Sequence, residues 1–271
     1  MTPSKARKWA GLTLDELRDR WGRDDVHLFG SVGSTNDVAR ELAEEDAPSG
    51  TVVLAREQSG GRGRAGRSWY SPEGGVYLSM VFRPGRVENP ELLPILAGLG
   101  MAAELERRIE GLVPALKWPN DLVAGDRKFG GILSEAAWGE DGIRHLVVGT
   151  GINVAPLGSG APRGLRSRAI SIEGVVDHDV PLEEVADAVV AGLEAYVPSA
   201  PPRLDAELLK LADRYDWLRD RRVHVTPPDA EEGLPGVCVG IAPDGALLFR
   251  PDRGALRRLH GGTVRAEEAR S

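Results

Sequence analysis

Three arginines alternate with three glycines over residues 61–67, a pattern suited to binding an anion. The stretch reads GRGRAGR and is followed by Ser68 and Trp69, with Arg56 a short distance upstream. Guanidinium groups are planar and permanently charged, so they match the geometry of carboxylates and phosphates. Glycine allows successive backbone amides to turn inward around an anion. The residues therefore indicate a local site for a small anion, although a solvated loop with arginines for solubility would fit the composition as well.

The same residues match two phosphate-binding motifs by spacing alone. Positions 61–66 fit the dinucleotide fingerprint G-x-G-x-x-G, and positions 61–68 fit a P-loop except that Arg67 stands where lysine belongs. Both motifs need a helix directly after the glycines, because the helix N-terminus holds the phosphate. Here Pro72 and a pair of glycines lead into another apolar run instead. We therefore predict a loop between two strands, and neither motif.

Hydrophobic periodicity predicts the elements that position this loop. The predicted elements are strands at 51–55 and 75–82, helices at 35–46, 89–111, 181–197 and 203–218, a strand at 115–124 that bends at Pro119-Asn120, a hairpin at 130–138 and 143–154, and a surface loop at 156–170. After Arg219, short β-like runs alternate with Pro, Gly and Asp-Gly turns. This change predicts a small β-barrel-like domain over residues 220–271, after a catalytic domain over residues 1–219.

Composition limits the class of protein and its compartment. The chain has 271 residues, of which 41% are hydrophobic and 28% charged, and its net charge is −7. An acidic chain lacks the global positive field that broad nucleic-acid binding needs. No apolar run is long enough to cross a bilayer, the N-terminus lacks a signal-peptide core, and Cys238 is the single cysteine. These features predict a cytoplasmic protein that binds neither membrane nor DNA.

Further motifs stand in a fixed order across roughly residues 30–155. They are Ser34-Thr35-Asn36, Gln58, the loop 61–67 with Ser68-Trp69, Lys117-Trp118-Pro119-Asn120-Asp121, Lys128-Phe129-Gly130-Gly131-Ile132-Leu133-Ser134-Glu135 and Gly149-Thr150-Gly151-Ile152-Asn153. In order and spacing they resemble the biotin protein ligases. The resemblance implies an α+β fold, with a mixed sheet and flanking helices like the class II aminoacyl-tRNA synthetase and biotin ligase catalytic domain. It also implies a small SH3-like β-barrel at the C-terminus.

The resemblance implies an enzyme that joins biotin to a lysine of a biotin carboxyl carrier protein in two steps. The biotin carboxylate attacks the α-phosphate of ATP, which gives biotinyl-5′-AMP and pyrophosphate. The lysine amine then attacks the acyl carbon and releases AMP. The first step pushes an anion against a polyphosphate, and like charges about 4 Å apart repel by about 4 kcal/mol at an effective dielectric near 20. Fixed cations must offset this repulsion in the transition state.

Site residues follow from the same resemblance. Lys117 is predicted as the central cation and Arg64 as the arginine nearest the acyl-phosphate, so these two are the predicted catalytic residues. The predicted biotin-binding residues are Ser34, Thr35, Asn36, Gln58, Arg62, Gly63, Arg64, Lys117, Gly130 and Gly131. The predicted nucleotide-binding residues are Arg62, Arg64, Arg67, Trp69, Asn120, Lys128 and Asn153. Asp121 is a candidate base for the second step. Without the resemblance, Ser34-Thr35-Asn36 would be a helix cap and Lys117 a solvated lysine.

No metal site is predicted from the protein itself. The five histidines show no metal-ligand spacing with one another or with Cys238. Mg²⁺ is expected as the counter-ion of ATP, held largely by the phosphates. We also predict that the 60–70 loop is mobile until biotin and ATP bind, because closure would protect a labile mixed anhydride from water.

Partners and alternatives complete the sequence-based expectations. About thirty residues precede Ser34, too few for the helix-turn-helix domain of larger family members, so no repressor function is expected. Residues 260–264 read HGGTV where the family often has a Gly-acid-Val turn. A monomer or a ligand-dependent homodimer is expected, with an edge strand of the sheet as the surface for pairing.

Two alternative functions remain open. One is a lipoate or octanoate ligase or transferase of the same fold. The other, from another class, is a non-enzymatic nucleotide- or DNA-binding regulator.

Overall fold

The computed structural model describes residues 3–140, 142–228 and 230–267. The strands are β1 (Ser4–Lys5), β2 (Lys8–Trp9), β3 (Leu12–Thr13), β4 (Val26–Val32), β5 (Val52–Gln58), β6 (Gly75–Phe82), β7 (Ala115–Lys117), β8 (Asp121–Ala124), β9 (Arg127–Gly139), β10 (Gly142–Asn153), β11 (Arg222–Thr226), β12 (Leu234–Ile241), β13 (Leu247–Pro251), β14 (Arg257–Leu259) and β15 (Thr263–Ala266). The α-helices are α1 (Leu14–Trp21), α2 (Thr35–Glu44), α3 (Leu93–Arg108), α4 (Glu173–Val176), α5 (Leu182–Tyr196) and α6 (Ala206–Tyr215). Short 3₁₀ turns occur at Arg64–Gly66 and Pro90–Leu92.

A large mixed sheet forms the centre of the molecule. Its strand order is β1-β4-β5-β6-β10-β9-β8-β7. The pair β4 and β5 is parallel, while the other neighbours in this sheet run antiparallel. Strand β6 is buried over its whole length and has the bounds predicted from the sequence. The expected α+β architecture is therefore confirmed.

The two faces of this sheet are covered differently. On one face, α3 and α5 pack over side chains such as Leu54, Leu78 and Ile132 in the main hydrophobic core. On the other face, α2 covers only a small apolar cluster that includes Val53, Val81 and Val147. Because side chains alternate along a strand, the residues beyond this cluster face outward where α2 begins. A cleft lies over that part of the sheet.

Several predicted elements differ from the structure in their bounds. The helix predicted at 89–111 begins with a 3₁₀ turn, and α3 ends at Arg108. Asn89 makes no side-chain cap, because its amide donates to the backbone oxygen of Asp244. The bent strand predicted at 115–124 is a hairpin in which β7 and β8 pair with each other. No helix of the described residues is long and apolar enough to cross a membrane.

The C-terminal β-region is a separate antiparallel sheet in the order β14-β13-β12-β11-β15. The sequence predicted its first four strands but not β15. It contacts the large sheet through Trp118, whose indole N–H donates to the backbone oxygen of Gly245 at 2.9 Å. The division at residue 219 stays a prediction, and residues 1–2 and 268–271 of the two predicted domains lie outside the described residues.

Candidate active site

A cleft lies on the face of the large sheet where α2 begins. Its floor contains Gly149 and Gly151 of β10. A Cβ atom at Gly149 would lie 1.8 Å from Asn36 Oδ1, and one at Gly151 would lie 2.3 Å from Trp69 Nε1. No side chain fits at either position, so glycine there lets polar groups from α2 and from the 61–69 loop approach the sheet.

The end of the cleft nearest α2 is polar but buried. Ser34, Thr35 and Asn36 are each only 3% exposed. Ser34 occupies the N-cap position, yet its side chain makes no cap hydrogen bond. Thr35 donates its backbone N–H to Gln58 Oε1 at 2.8 Å, and its Oγ1 lies 3.1 Å from the same oxygen. Gln58 in turn donates to Ser71 Oγ at 2.8 Å.

Two side chains behind this polar end, Ser79 and Glu135, were not among the predicted site residues. Ser79 of β6 is fully buried, and its Oγ lies 2.8 Å from Thr35 Oγ1 and 2.6 Å from Asn36 Oδ1. Glu135 of β9 accepts from Asn36 Nδ2 at 2.7 Å. Ser79 stands in a run that the sequence marks only as a buried strand. The sole available signal was its polarity within that apolar run.

The glycine–arginine loop folds over the cleft as a strand-to-strand connection, as its position between two apolar runs predicted. Trp69 donates its backbone N–H to Gly61 O at 2.8 Å, and Gly63 donates to Arg67 O at 2.6 Å. Ala65 at the tip has φ of 55°, in the left-handed region. β6 rather than a helix follows, which excludes both the dinucleotide fingerprint and the P-loop.

Cationic side chains gather at the other end of the cleft. Arg64 donates to Asn120 Oδ1 at 3.0 Å, and partial desolvation of its guanidinium lowers the pKa of this group even though the residue remains exposed to solvent. Lys128 Nζ lies 2.6 Å from Asp121 Oδ1 and 5.0 Å from the centroid of the Trp69 ring. Arg67 also lines the cleft. These cationic side chains make this end of the cleft suited to an anionic group.

Arg62 is already engaged by carboxylates. It forms a bidentate pair with Glu135, at 2.9 Å and 2.7 Å, and a further ion pair with Asp37 at 2.9 Å. A bidentate pair fixes both partners in one plane. Arg62 therefore ties the glycine–arginine loop to β9 and to α2.

Three predicted site residues do not line the cleft. Lys117 lies on β7 at the edge of the sheet, and its Nζ sits 5.1 Å from the Trp217 ring centroid. Burial lowers the pKa of this ammonium group. Gly130 faces the opposite side of β9, where a Cβ would lie 2.6 Å from Ile152 Cδ1. Asn153 donates to the backbone oxygen of Ile170 at 3.2 Å.

The other predicted residues come together around one cleft. They are Ser34, Thr35, Asn36, Gln58, Arg62, Gly63, Arg64, Arg67, Trp69, Asn120, Lys128 and Gly131. The predicted surface loop at 156–170 also reaches it, through Leu165 and Arg168. This loop is held against β9 by backbone hydrogen bonds from Lys128 N to Arg168 O and from Ile170 N to Lys128 O.

Comparison with known proteins assigns this arrangement to a family. Residues 28–153 match the model of the Biotin/lipoate A/B protein ligase family. The biotin--[acetyl-CoA-carboxylase] ligase of Paracoccus denitrificans is 32% identical over 239 residues, which cover 84% of this chain and 95% of that protein. The chain belongs to the biotin protein ligase family. The enzyme of the same name from Mycobacterium tuberculosis is 33% identical over 215 residues, covering 72% and 76% of the two chains.

Solved structures of biotin protein ligases share the fold. The Aquifex aeolicus biotin protein ligase in complex with biotin and ATP matches with a TM-score of 0.72 and 26% identity, covering 91% of this chain and all of that one. The Bacillus subtilis bifunctional ligase/repressor BirA is 38% identical over 143 residues, but this match covers only 44% of its length. The chain thus spans less than half of that relative.

Proposed function

We propose that this biotin protein ligase couples biotin to a lysine of a carrier protein, using ATP and a biotinyl-5′-AMP intermediate. The observation that carries the proposal is one continuous cleft with a buried, uncharged polar end beside a cationic end. The polar end suits a ureido ring, and the cationic end suits a carboxylate beside a triphosphate. Names of related structures support this use, since the Aquifex aeolicus ligase is described in complex with biotin and ATP and the Leishmania major ligase in complex with biotinyl-5-AMP.

Lys128 replaces Lys117 as the proposed central cation. Lys128 lines the cleft, whereas Lys117 lies at the sheet edge beside Trp217. Asp121 is paired with Lys128, so its role in this proposal is to hold the ammonium group in place rather than to serve as a base. Arg64 keeps its predicted role, and Asn120 orients it. Together these cations offset the repulsion of about 4 kcal/mol between carboxylate and phosphate groups at about 4 Å.

Trp69 is the proposed platform for adenine. Its ring is half-buried above Gly151, and its Nε1 has no hydrogen-bond partner among the described atoms. Aromatic rings stack favourably on bases. Mg²⁺ would arrive with the ATP phosphates, because the described residues contain no cluster of three or more His, Cys, Asp or Glu that could hold a metal.

The carrier protein is proposed to dock along β9. Strand β8 pairs with β9 only as far as Gly131, whereas β9 continues to Gly139 beside β10. The outer edge of residues 133–139 is thus available for an added strand. The same edge is the candidate surface for a ligand-dependent homodimer, and the absence of DNA binding and the cytoplasmic location stay predictions from the sequence.

The proposal is tested by ATP–pyrophosphate exchange, measured with biotin, with lipoate and with neither. Exchange that depends on biotin, followed by transfer of labelled biotin to a carrier domain, is the expected result. Exchange with lipoate alone would overturn the choice of substrate. The uncharged hydrogen-bonding groups at the buried end favour biotin, since the dithiolane ring of lipoate has no N–H or C=O group to match them.

A further inference from the structure

We propose that Glu135 is a positioning residue that sets the direction of hydrogen bonding at the biotin end of the cleft. By this inference, Thr35 Oγ1 can accept a hydrogen bond from the substrate. It therefore selects a substrate that has an N–H group, as the ureido ring has. The inference rests on the proposed function and adds to it the basis of substrate selection. Glu135 acts through Asn36 and Ser79 rather than by touching biotin.

The first step is the orientation of the Asn36 amide. Its Nδ2 donates to Glu135 Oε2 at 2.7 Å and lies 3.3 Å from Leu133 O. Both partners can only accept hydrogen bonds. In the reverse orientation, Asn36 Oδ1 would face the Glu135 carboxylate and two acceptors would be in contact. Glu135 therefore directs Oδ1 of Asn36 toward Ser79.

The second step follows from the fact that each hydroxyl group, of Ser79 and of Thr35, has only one proton to donate. Asn36 Oδ1 lies 2.6 Å from Ser79 Oγ and can only accept, so the Ser79 proton goes to it. The 2.8 Å contact between Ser79 Oγ and Thr35 Oγ1 is then made by the Thr35 proton. Gln58 Oε1 accepts the backbone N–H of Thr35 at 2.8 Å, and its 3.1 Å distance from Thr35 Oγ1 is longer than the usual O–H···O bond, so Gln58 is the weaker acceptor for the Thr35 proton. The remaining lone pairs of Thr35 Oγ1 are available to a donor in the cleft.

The third step is the rigidity of this relay. Asn36 is seated directly against the backbone of Gly149, where even a Cβ atom would lie 1.8 Å from its Oδ1. Arg62 holds Glu135 through two hydrogen bonds, one of them to Oε2, the oxygen that also accepts from Asn36. Ser79 and Asn36 are almost fully buried, so water cannot replace a lost partner easily. If the side chain at position 135 could donate as well as accept, the hydrogen-bond directions at Asn36, Ser79 and Thr35 would change with it.

The test is Glu135→Gln, which keeps the size of the side chain but can donate as well as accept. We expect the KM for biotin to rise roughly tenfold, as for a lost buried hydrogen bond, with kcat changed much less and the KM for ATP unchanged. Asp37→Asn is the matched control, because Asp37 is the other carboxylate paired with Arg62 and the change removes the same charge. Its KM for biotin should change less than about twofold.

Two further measurements separate positioning from loop stability. Both variants should increase trypsin cleavage within residues 61–67, since each removes one ion pair from Arg62. Ser79→Ala breaks the relay without touching Arg62, so it should raise the KM for biotin and leave cleavage unchanged. A biotin analogue methylated at a ureido nitrogen should be rejected strongly by the wild-type protein and less strongly by Glu135→Gln.

The outcomes distinguish this inference from the proposed function. If the wild-type protein shows no biotin-dependent exchange, the proposed function fails and the inference fails with it. If the wild-type protein is active but Glu135→Gln and Asp37→Asn have the same KM for biotin, only the role of Glu135 is overturned. An unchanged KM in Ser79→Ala would overturn it as well.

Discussion

The two ends of the cleft differ in the burial and the charge of their polar side chains. At the α2 end, Thr35, Asn36 and Ser79 are buried and satisfy one another through hydrogen bonds. At the other end, Arg64 and Arg67 are exposed, and their hydrogen bonds among the described residues go to the neutral Asn120 amide and to a backbone oxygen. Neutral groups can be buried when they are mutually hydrogen-bonded, whereas an unpaired charge must stay in water until a counter-charge arrives. The hydrogen bonds of the α2 end are thus formed before substrate binds, whereas the arginines at the other end receive their counter-charge from the substrate.

The largest expected effect tests the cationic end. Lys128→Ala should lower biotin-dependent ATP–pyrophosphate exchange roughly 100-fold or more, because it removes a fixed charge beside the reacting phosphate. Lys117→Ala is the matched control at the neighbouring sheet edge and should change the rate less than about threefold. Equal losses in the two variants would contradict the assignment of Lys128. The measurement is exchange rate at saturating biotin and ATP.

The next effect tests how tightly the polar end is packed. Gly149→Ala would place a Cβ atom 1.8 Å from Asn36 Oδ1, so Asn36 must move. We expect the free energy of unfolding to fall by about 1–3 kcal/mol, together with weaker biotin binding. Gly158→Ala is the control, since a Cβ there would meet nothing within 4 Å. Chemical denaturation and biotin titration of the two variants would show the difference.

A third prediction concerns Asp216, a buried carboxyl group with one oxygen that lacks the hydrogen bonds found at the polar end of the cleft. Asp216 lies at the end of α6, and its Oδ2 is buried with no hydrogen-bond partner among the described residues. Burial raises its pKa from the ordinary 3.8 of an aspartate to about 6. Because the folded protein holds this proton more tightly, Asp216 should lower stability as pH rises from about 4 through about 6.

Asp216→Asn removes this titration. We expect the variant to be more stable than the wild-type protein at pH 8, by roughly 1–2 kcal/mol, and the difference to shrink at pH 4. Leu218 N, which donates to Asp216 Oδ1, can donate to the asparagine oxygen as well. A stability difference that does not depend on pH would contradict a buried, titrating carboxyl group. Denaturant midpoints at the two pH values provide the measurement.

The smallest expected effect contrasts the two ends directly. Exposed arginines are screened by salt, whereas buried neutral hydrogen bonds are not. Raising the salt concentration from about 0.1 M to 1 M should therefore weaken ATP binding by several-fold. Binding of biotinol, which keeps the ureido ring but has an alcohol in place of the carboxylate, should change little. Equal salt dependence for both ligands, measured by calorimetry, would show that the two ends do not differ in this way.

Local sequence predicted most of the fold near the site. Apolar runs identified β5 and β6, and the proline and glycines after Trp69 showed that the loop joins strands rather than a strand and a helix. The short strand β15 escaped prediction because Thr263–Ala266 carries only one buried side chain, Val264. The helix containing α3 was predicted to be too long. Asn89 is a residue type that often caps helices, but here its side chain donates to the backbone oxygen of Asp244 instead.

The sequence by itself determined which chemical groups are present and in what order: the arginine loop, the Ser-Thr-Asn element at the start of α2, and the motifs that mark the family. Only the tertiary structure decided which of them meet. Lys117 and Lys128 are both lysines within strands, but sheet order places the first in the edge strand and the second beside the cleft. Gly130 and Gly131 are adjacent, yet strand alternation turns Gly130 to the core and Gly131 to the cleft. Ser79 and Glu135 became visible as partners of Asn36 because contacts between distant strands depend on pairing register, which no local pattern contains.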